Sequence, residues 1–446
     1  MKNSFRFVAA FSALCAVILL AERALAADPV ADAIALKAAR LFDGKSKALL
    51  TNAVVIVQGD KITDAGSNLA IPQGAQVIDL GDATLSPGFM DAHTHLTADY
   101  SGNYNERRLK SLEMNVSELA YLAIPNARAT IEAGFTTVRD LGSRFEGSRD
   151  FVDVSMRNAI AKGVIPGPRM LVATFGIGAT GGHFDDTNGF RDLLFGHEPG
   201  FDDGIADGPD AIRKAVRFEI KNGADVIKAA VSGGVLSMHD EVDVPQLTPT
   251  EMAALVDETH RLRKKVAVHC HGDQAAKDAI EAGVDSIEHG SFLKPETLQL
   301  MKTKGTWLVP TLMATEWVLA KLDSYPPALQ AKGKAAGAAR TEMFRNAVKL
   351  GLKIGFGTDA GVYPHGMNAR EFKLMVDLGM PPIEALRAAT SADAELFGIS
   401  AKVGTLEKGK LADIIAMPGD PTTDITATER ISFVMKEGKI VKNAAR

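Results

Sequence analysis

Ten histidines occur in the 446 residues, and five stand where apolar runs end: His93 and His95, His269 and His271, and His289. Residues two apart in an extended strand point the same way, so His93-Thr94-His95 aims two imidazoles at one point. His269-Cys270-His271 does the same and turns Cys270 toward the packing helices, as a core thiol rather than a nucleophile. One such histidine is ordinarily a hydrogen-bonded structural residue. Two H-x-H pairs with a third strand-end histidine read as metal ligands, because neutral imidazole suits divalent transition metals.

Lys228 interrupts the run Asp225-Val226-Ile227-Lys228-Ala229-Ala230-Val231. An unpaired ammonium inside a strand costs on the order of several kcal/mol, so something neutralises it. A buried salt bridge does so, as does a Schiff-base amine of depressed pKa. A third way is addition of CO2 to give a carbamate, an anion able to bridge two cations. Asp359, in Gly355-Phe356-Gly357-Thr358-Asp359-Ala360-Gly361, adds a carboxylate among small neighbours that leave access open.

These residues need a scaffold that brings distant strand ends together. Helical stretches that end at a glycine and pass at once into a β-branched apolar run recur: Gly134 before Phe135–Val138, Gly223 before Val226-Ile227, Gly283 before Val284–Ile287, Gly305 before Trp307–Val309, Gly351 before Lys353–Phe356. Glycine suits a left-handed helix C-cap, and a short loop then feeds a buried parallel strand. With the runs Pro87–Ala92, Met170–Thr174 and Val266–Cys270, eight strands lie between residues 86 and 360. That count predicts an α/β fold, a (β/α)8 TIM barrel over residues 86–400, whose active site sits at the C-terminal strand ends. An open doubly wound sheet shares the same periodicity. Short alternating runs in residues 27–85 and again in 401–446 predict a small β-sandwich domain built from both chain ends.

The N-terminus reads as a signal peptide over residues 1–26. Lys2 and Arg6 begin it, Phe7–Leu20 is apolar, and Ala24-Leu25-Ala26 is a small-residue cleavage site. A periplasmic or secreted protein is expected, with no membrane attachment once the signal is removed. Its net charge would then be −7, with Cys270 the one remaining cysteine. The 46% hydrophobic content excludes a disordered chain, and 50 Lys+Arg against 55 Asp+Glu offers no surplus to hold nucleic acid.

The series Pro87-Gly88-Phe89-Met90-Asp91-Ala92-His93-Thr94-His95, Lys228, His269, His289 and Asp359 resembles the amidohydrolase superfamily of metal-dependent hydrolases. The tail Gly404–Asp413 is similar to that family's return to its small sandwich. The Gly181-Gly182-His183 loop and His269-Cys270-His271-Gly272 look most like the branch of Xaa-Pro and Xaa-Arg/Lys dipeptidases and ochratoxinase-type enzymes. The resemblance implies a binuclear site. His93, His95 and Asp359 would hold the more buried metal, His269 and His289 the second, and N6-carboxylated Lys228 would bridge them. Zinc suits such ligands. A metal-bridging hydroxide would attack the amide, with Asp359 as proton carrier and His271 and His183 catalytic at the substrate.

The expected activity is release of a C-terminal amino acid from dipeptides or N-acyl amino acids, ochratoxin A included. A small-molecule substrate and a homo-oligomer are expected. The rivals are a cyclic-amide hydrolase, imidazolonepropionase-like or dihydroorotase-like, and a non-catalytic metal-dependent binding protein. Gly176-Ile177-Gly178-Ala179-Thr180-Gly181 matches a dinucleotide-binding pattern but lacks the apolar helix that should follow, and reads as glycines that admit substrate. Residues 183–209 read as a lid or rim, Met313–Arg345 as an outer helix with a surface turn, and His239, His260 and His365 as surface residues. Arg107, Arg139, Tyr100 and Ser232 are candidates to meet a substrate carboxylate.

Overall fold

A computed structural model describes residues 33–98, 103–142, 150–191 and 196–444. The signal segment and Tyr100 lie outside them. The first strands are β1 (Ile34–Leu41), β2 (Leu50–Gln58), β3 (Lys61–Ser67), β4 (Gln76–Asp79) and β5 (Ala83–Pro87). A run of parallel strands follows: β6 (Phe89–Thr94), β7 (Phe135–Asp140), β8 (Arg169–Val172), the short β9 (Gly176–Ile177), β10 (Val226–Ala230), β11 (Lys265–Cys270), β12 (Ser286–His289) and β13 (Trp307–Val309). The chain closes with β14 (Ile414–Pro418), β15 (Phe433–Lys436) and β16 (Lys439–Asn443).

Both chain ends enter one eight-stranded sheet, ordered β16-β15-β14-β5-β1-β2-β3 with β4 against β1. The join is the antiparallel pair β5–β14, in register from Ile414 opposite Pro87 to Pro418 opposite Ala83. Leu36, Val55, Leu85, Ile414 and Phe433 are wholly buried on its inner face. Each such side chain contributes about 1.5–3 kcal/mol that neither end could gain alone.

Pro87, expected in the first parallel strand, belongs to the terminal sheet, and Gly88 N still donates to Asp413 O at 2.9 Å. Gly88 carries the chain from the terminal sheet to β6, and only glycine fits there, since a Cβ would fall 2.1 Å from Thr136 Oγ1. The parallel strands form a three-stranded set, β6-β7-β8, and a five-stranded set, β13-β12-β11-β10-β9. Between the sets, Asp225 N donates to Val172 O at 2.7 Å. Residues 353–356, expected as a full strand, divide their bonds between two neighbours instead. Ile354 bridges Leu308 in β13, and Phe356 O accepts from Ala92 N in β6 at 2.7 Å.

Helices cover the outer faces. Phe89, Phe135, Phe356 and Phe372 stack tilted at 4.3–5.7 Å, joining strands to the helix Arg370–Asp377. The helix Pro249–Arg261 shows how the sequence encodes such an element: Thr248 and Glu251 form a capping box, Pro249 is its first residue, and His260 and Arg261 lie in its last turn. The glycine stops behave as read, with Gly283 and Gly305 left-handed at φ 96° and 77°. Among the described residues no helix is long and apolar enough to cross a membrane.

Candidate metal centre

The strand-end histidines converge on one cavity of about 360 Å³, whose lining includes His93, His95, His183, His269, His271, His289, Lys228 and Asp359. Neighbouring imidazole centres are 4.1–5.2 Å apart. Two trios offer ligand atoms within 4.8 Å of one another: His93, His95 and Asp359, and His269, His271 and His289. The second trio is the more enclosed, and it draws in His271 alongside the two histidines read as ligands.

Strand alternation explains the H-x-H pairs and fails for two other members. In β12 the inward series is Ser286 and Glu288, so His289 should point away. Its backbone is left-handed, φ 71°, which swings the ring back into the cavity. Asp359 is likewise left-handed at φ 59°. Such conformations cost about 1–3 kcal/mol in a non-glycine residue and persist where the surroundings impose them.

The imidazoles are oriented from behind. His93 Nδ1 meets Glu288 Oε2 at 3.0 Å, His95 Nδ1 meets Gly142 O at 3.1 Å, His271 Nδ1 meets Ser291 Oγ at 2.9 Å, and His289 Nδ1 meets Thr311 Oγ1 at 2.7 Å. His269 is tied through its other nitrogen, Nε2, to Gly233 O at 3.1 Å. In all five rings one nitrogen is held by a protein partner, and in His93 and His95 the other meets Asp359, the arrangement that outer-shell bonds give metal-binding histidines. Burial pulls His93 down to about 4 and His271 to about 3, and holds His269 and His289 well below the usual range. These rings are neutral bases at pH 7, as ligation requires. His95 moves upward: burial, the largest single influence, lowers it, but the bond and charge of Asp359 together with the charge of Asp140 and the Gly142 carbonyl raise it by more. Asp359 Oδ1 lies 3.1 Å from His95 Nε2 and 3.5 Å from His93 Nε2.

Lys228 is 1% exposed, with Nζ 3.5 Å from His93 Nε2. Burial lowers its amine to about 8, against the pull of Glu288 and Asp359. No salt bridge reaches it among the described residues. The donor set therefore fits divalent cations, and the amine fits conversion to an anion. Cys270 is pushed up to about 12 by burial, with Sγ 3.3 Å from Gly272 O, and is an inert core thiol.

Glu288 is the principal residue that the sequence reading missed. Arg139 Nη2 bonds its Oε1 at 2.8 Å, and this buried pair holds Glu288 down at about 2 despite burial. Arg139, read as a possible substrate contact, also donates to Ala92 O at 2.7 Å and is structural. Ser232 is likewise buried and donates to Gly233 O and Val242 O. His183 sits against Gly234, where a Cβ would fall 2.1 Å from its ring, and its Nδ1 meets Ser237 Oγ at 2.9 Å. Asp240 joins Ser237 to Lys332, with bonds of 2.6 and 2.8 Å. A Cβ on Gly176 or Gly178 would meet Phe184, and Gly176, Gly182 and Phe184 all line the cavity. His365, read as a surface residue, is half-buried with Nε2 3.1 Å from His95 O, whereas His239 is exposed as expected and stands at the cavity lining. His260 is exposed as expected and meets Asp285 at 2.9 Å. Ala314, Val318 and Gly333 also line the cavity, so the stretch 313–345 forms a wall rather than a plain outer layer.

The amidohydrolase family model matches residues 84–441. The ochratoxinase of Aspergillus niger is 31% identical over 415 residues, 88% of this chain and 83% of that protein. Its crystal structure superposes with a TM-score of 0.80 at 30% identity, covering 93% of this chain and 96% of that one. An Xaa-Pro dipeptidase with methionine bound in its active site gives a TM-score of 0.86 at 38% identity, over 92% of this chain and 99% of that one. A prolidase complexed with N-methylphosphonate-L-proline gives 0.82 at 29%, over 92% and 100%. The protein is a hydrolase acting on amide bonds. The chain belongs to the amidohydrolase family.

Proposed function

We propose that this chain is an exported binuclear metallohydrolase that releases the C-terminal amino acid of a dipeptide or an N-acyl amino acid, with ochratoxin A among the candidates. The observation that carries this reading is the pair of ligand trios, each within 4.8 Å, with a buried lysine amine 3.5 Å from one of their nitrogens. His93, His95 and Asp359 would hold one cation and His269 and His289 the other. Lys228 would serve both as its carbamate: the ammonium loses a proton, the neutral amine adds to CO2 with formation of an N–C bond and loss of a second proton, so a buried cation becomes an anion. Divalent cations so held, zinc by ligand type, supply a Lewis acid for the scissile carbonyl and a water acidic enough to attack at neutral pH. Asp359 takes the proton of the attacking water and passes it to the departing amine. His183 and His271 line the cavity and steady the substrate, each with its Nδ1 tied to a serine.

We further infer that the two parallel sheets are arcs of one (β/α)8 barrel over residues 86–400, flanked by a sandwich domain from residues 27–85 and 401–446. The bridges of Ile354 to Leu308 and of Ala360 to Thr94, and the Asp225–Val172 bond, support closure. A homo-oligomer is part of the same reading.

The test begins with protein from the periplasmic fraction of an expressing bacterium, its first residue expected by sequencing to be Ala27. Loaded with zinc in bicarbonate buffer, it is assayed for amino-acid release from Xaa-Pro and Xaa-Arg dipeptides, N-aroyl-phenylalanines including ochratoxin A, and cyclic amides. Release from an acyclic amide, with two metal ions per chain and loss on chelation, is expected. Lys228→Ala should lose metal and activity together. Full turnover by that variant without added carboxylate would sink the bridging role.

A further inference from the structure

We propose that Glu371 is a positioning residue of the metal centre: it caps the helix Leu312–Ala320 in place of Thr311, and so leaves the Thr311 hydroxyl to hold the ring of His289. This role rests on the reading of His289 as a metal ligand above, and it brings into that site a carboxylate that is not part of the cavity lining.

A threonine that begins a helix ordinarily has an extended backbone and accepts, on its own hydroxyl, an N–H of the first turn. Thr311 does neither. Its backbone is left-handed, φ 46° and ψ 49°, an unusual conformation for a β-branched residue, and its side chain makes no bond to the helix it precedes. The hydroxyl instead meets His289 Nδ1 at 2.7 Å. Leu312 and Met313 are buried, and their N–H groups still need acceptors.

Glu371, in the helix Arg370–Asp377, supplies both. Its Oε1 accepts from Leu312 N at 2.8 Å and its Oε2 from Met313 N at 2.6 Å, so a carboxylate stands at the positive end of the helix. Burial raises the carboxyl, and the two N–H bonds and the charge of Arg340 oppose that rise. Arg340, in the helix Pro327–Leu350, ties down the same turn by donating from Nη1 to Leu312 O at 2.6 Å and from Nη2 to Glu316 Oε2 at 2.7 Å. Glu371 is wholly buried, and the next residue anchors it: the Phe372 ring lies 4.3 Å from that of Phe356 and 4.8 Å from that of Phe89.

Three helices thus converge on one imidazole. With Glu371 as the cap, Thr311 keeps its left-handed backbone, His289 Nδ1 stays engaged, and Nε2 is the nitrogen left for a cation. Without it, two buried N–H groups draw the threonine hydroxyl back to its own helix and release the ring. The same turn leads into Ala314, Thr315 and Val318 of the cavity wall.

Zinc affinity, read by competition with a chromophoric chelator, is measured for the wild type, Thr311→Val, Glu371→Gln and the double variant. Each single substitution is expected to weaken binding about 10-fold, the lower end for losing an outer-shell partner, and Thr311→Ser should keep the wild-type value. The double variant should also lose about 10-fold rather than about 100-fold, because both changes remove one hold on His289. A purely structural Glu371 would lower stability with no such coupling to Thr311. Additive losses, or a Glu371→Gln affinity equal to wild type, overturn the assignment. Should Glu371→Gln not fold, Glu371→Asp takes its place in the cycle and the same outcomes decide. Should the wild type bind no zinc, the metal reading falls on its own. The crystal structure of metal-free Glu371→Gln then decides: Thr311 with an extended backbone and its hydroxyl on its own helix is expected, and a hydroxyl still on His289 overturns the role.

Discussion

Glu288 and Arg139 form a buried pair at 2.8 Å directly behind His93, whose Nδ1 meets the other carboxylate oxygen. One carboxylate thus fixes the ring whose other nitrogen faces Lys228 and Asp359, and neutralises an arginine that is 2% exposed. Glu288→Gln keeps the shape but weakens both roles. Zinc affinity should fall about 10–100-fold, the usual scale for losing an outer-shell partner. Unfolding free energy should fall by about 3–5 kcal/mol, because the Arg139 charge stays buried without its counterion. Competition with a zinc chelator and urea denaturation measure the two effects. Unchanged zinc affinity would remove Glu288 from the site's support. Sequence parity hid this residue, since Glu288 and His289 are adjacent in one strand and only the left-handed turn at His289 lets both serve the same side.

At the scale of elements, the loop after β10 is tied to the helix Pro327–Leu350 by one side chain. Lys332 Nζ donates to Ser237 O at 2.8 Å, Gly234 O at 3.2 Å and Asp240 Oδ1 at 2.8 Å, and also contacts Asp240 O. Asp240 in turn accepts from Ser237, Gln246 and the Gly234 N–H, and Gln246 Oε1 accepts from His183 N at 2.9 Å. His183 therefore takes its position from a lysine on a distant helix. Lys332→Met should speed hydrogen exchange at the amides of residues 234–241 and lower kcat/KM about 10-fold, with little change in zinc content, because charge-assisted bonds of this kind contribute about 1.5–3 kcal/mol. If exchange in that loop is unaltered, Lys332 does not hold it. Helical periodicity cannot reveal this tie, since the lysine reads as one more polar position.

For the whole molecule, the decisive packing is the meeting of the chain ends. Beyond the β5–β14 ladder, Glu407 in the C-terminal segment accepts from Lys45 in the N-terminal segment at 2.6 Å and from Thr405 at 2.6 Å, with Lys410 Nζ 3.4 Å away. The Lys45 bond foremost, then Thr405, hold its carboxyl at about 2, against a small opposing effect of burial. A depressed carboxyl stabilises the fold above its unfolded value near 4.5. That contribution is lost as pH falls from about 4.5 toward 2, because the unfolded chain then binds the proton more readily. Denaturation midpoints measured from pH 5 to pH 2.5 should fall less steeply in Glu407→Gln than in wild type. Identical slopes would show that solvent screening at this half-exposed pair leaves no net effect.

The family, the alternation of helix and strand, the glycine stops and the two H-x-H pairs are all legible along the chain. Each depends on local conformation, where a period of two or a left-handed residue leaves a visible mark. The sequence also marked Lys228 and Asp359, one by burial of a charge and the other by position. Tertiary structure alone decided that His271 stands within ligand reach of His269 and His289, and that Glu288 supports His93. It also decided that the stretch 313–345 walls the cavity and that Arg107 rather than Arg139 faces it. Those outcomes rest on backbone reversals at single residues and on contacts between elements far apart in the chain. A pattern read along one strand carries no information about which neighbour will stand behind it.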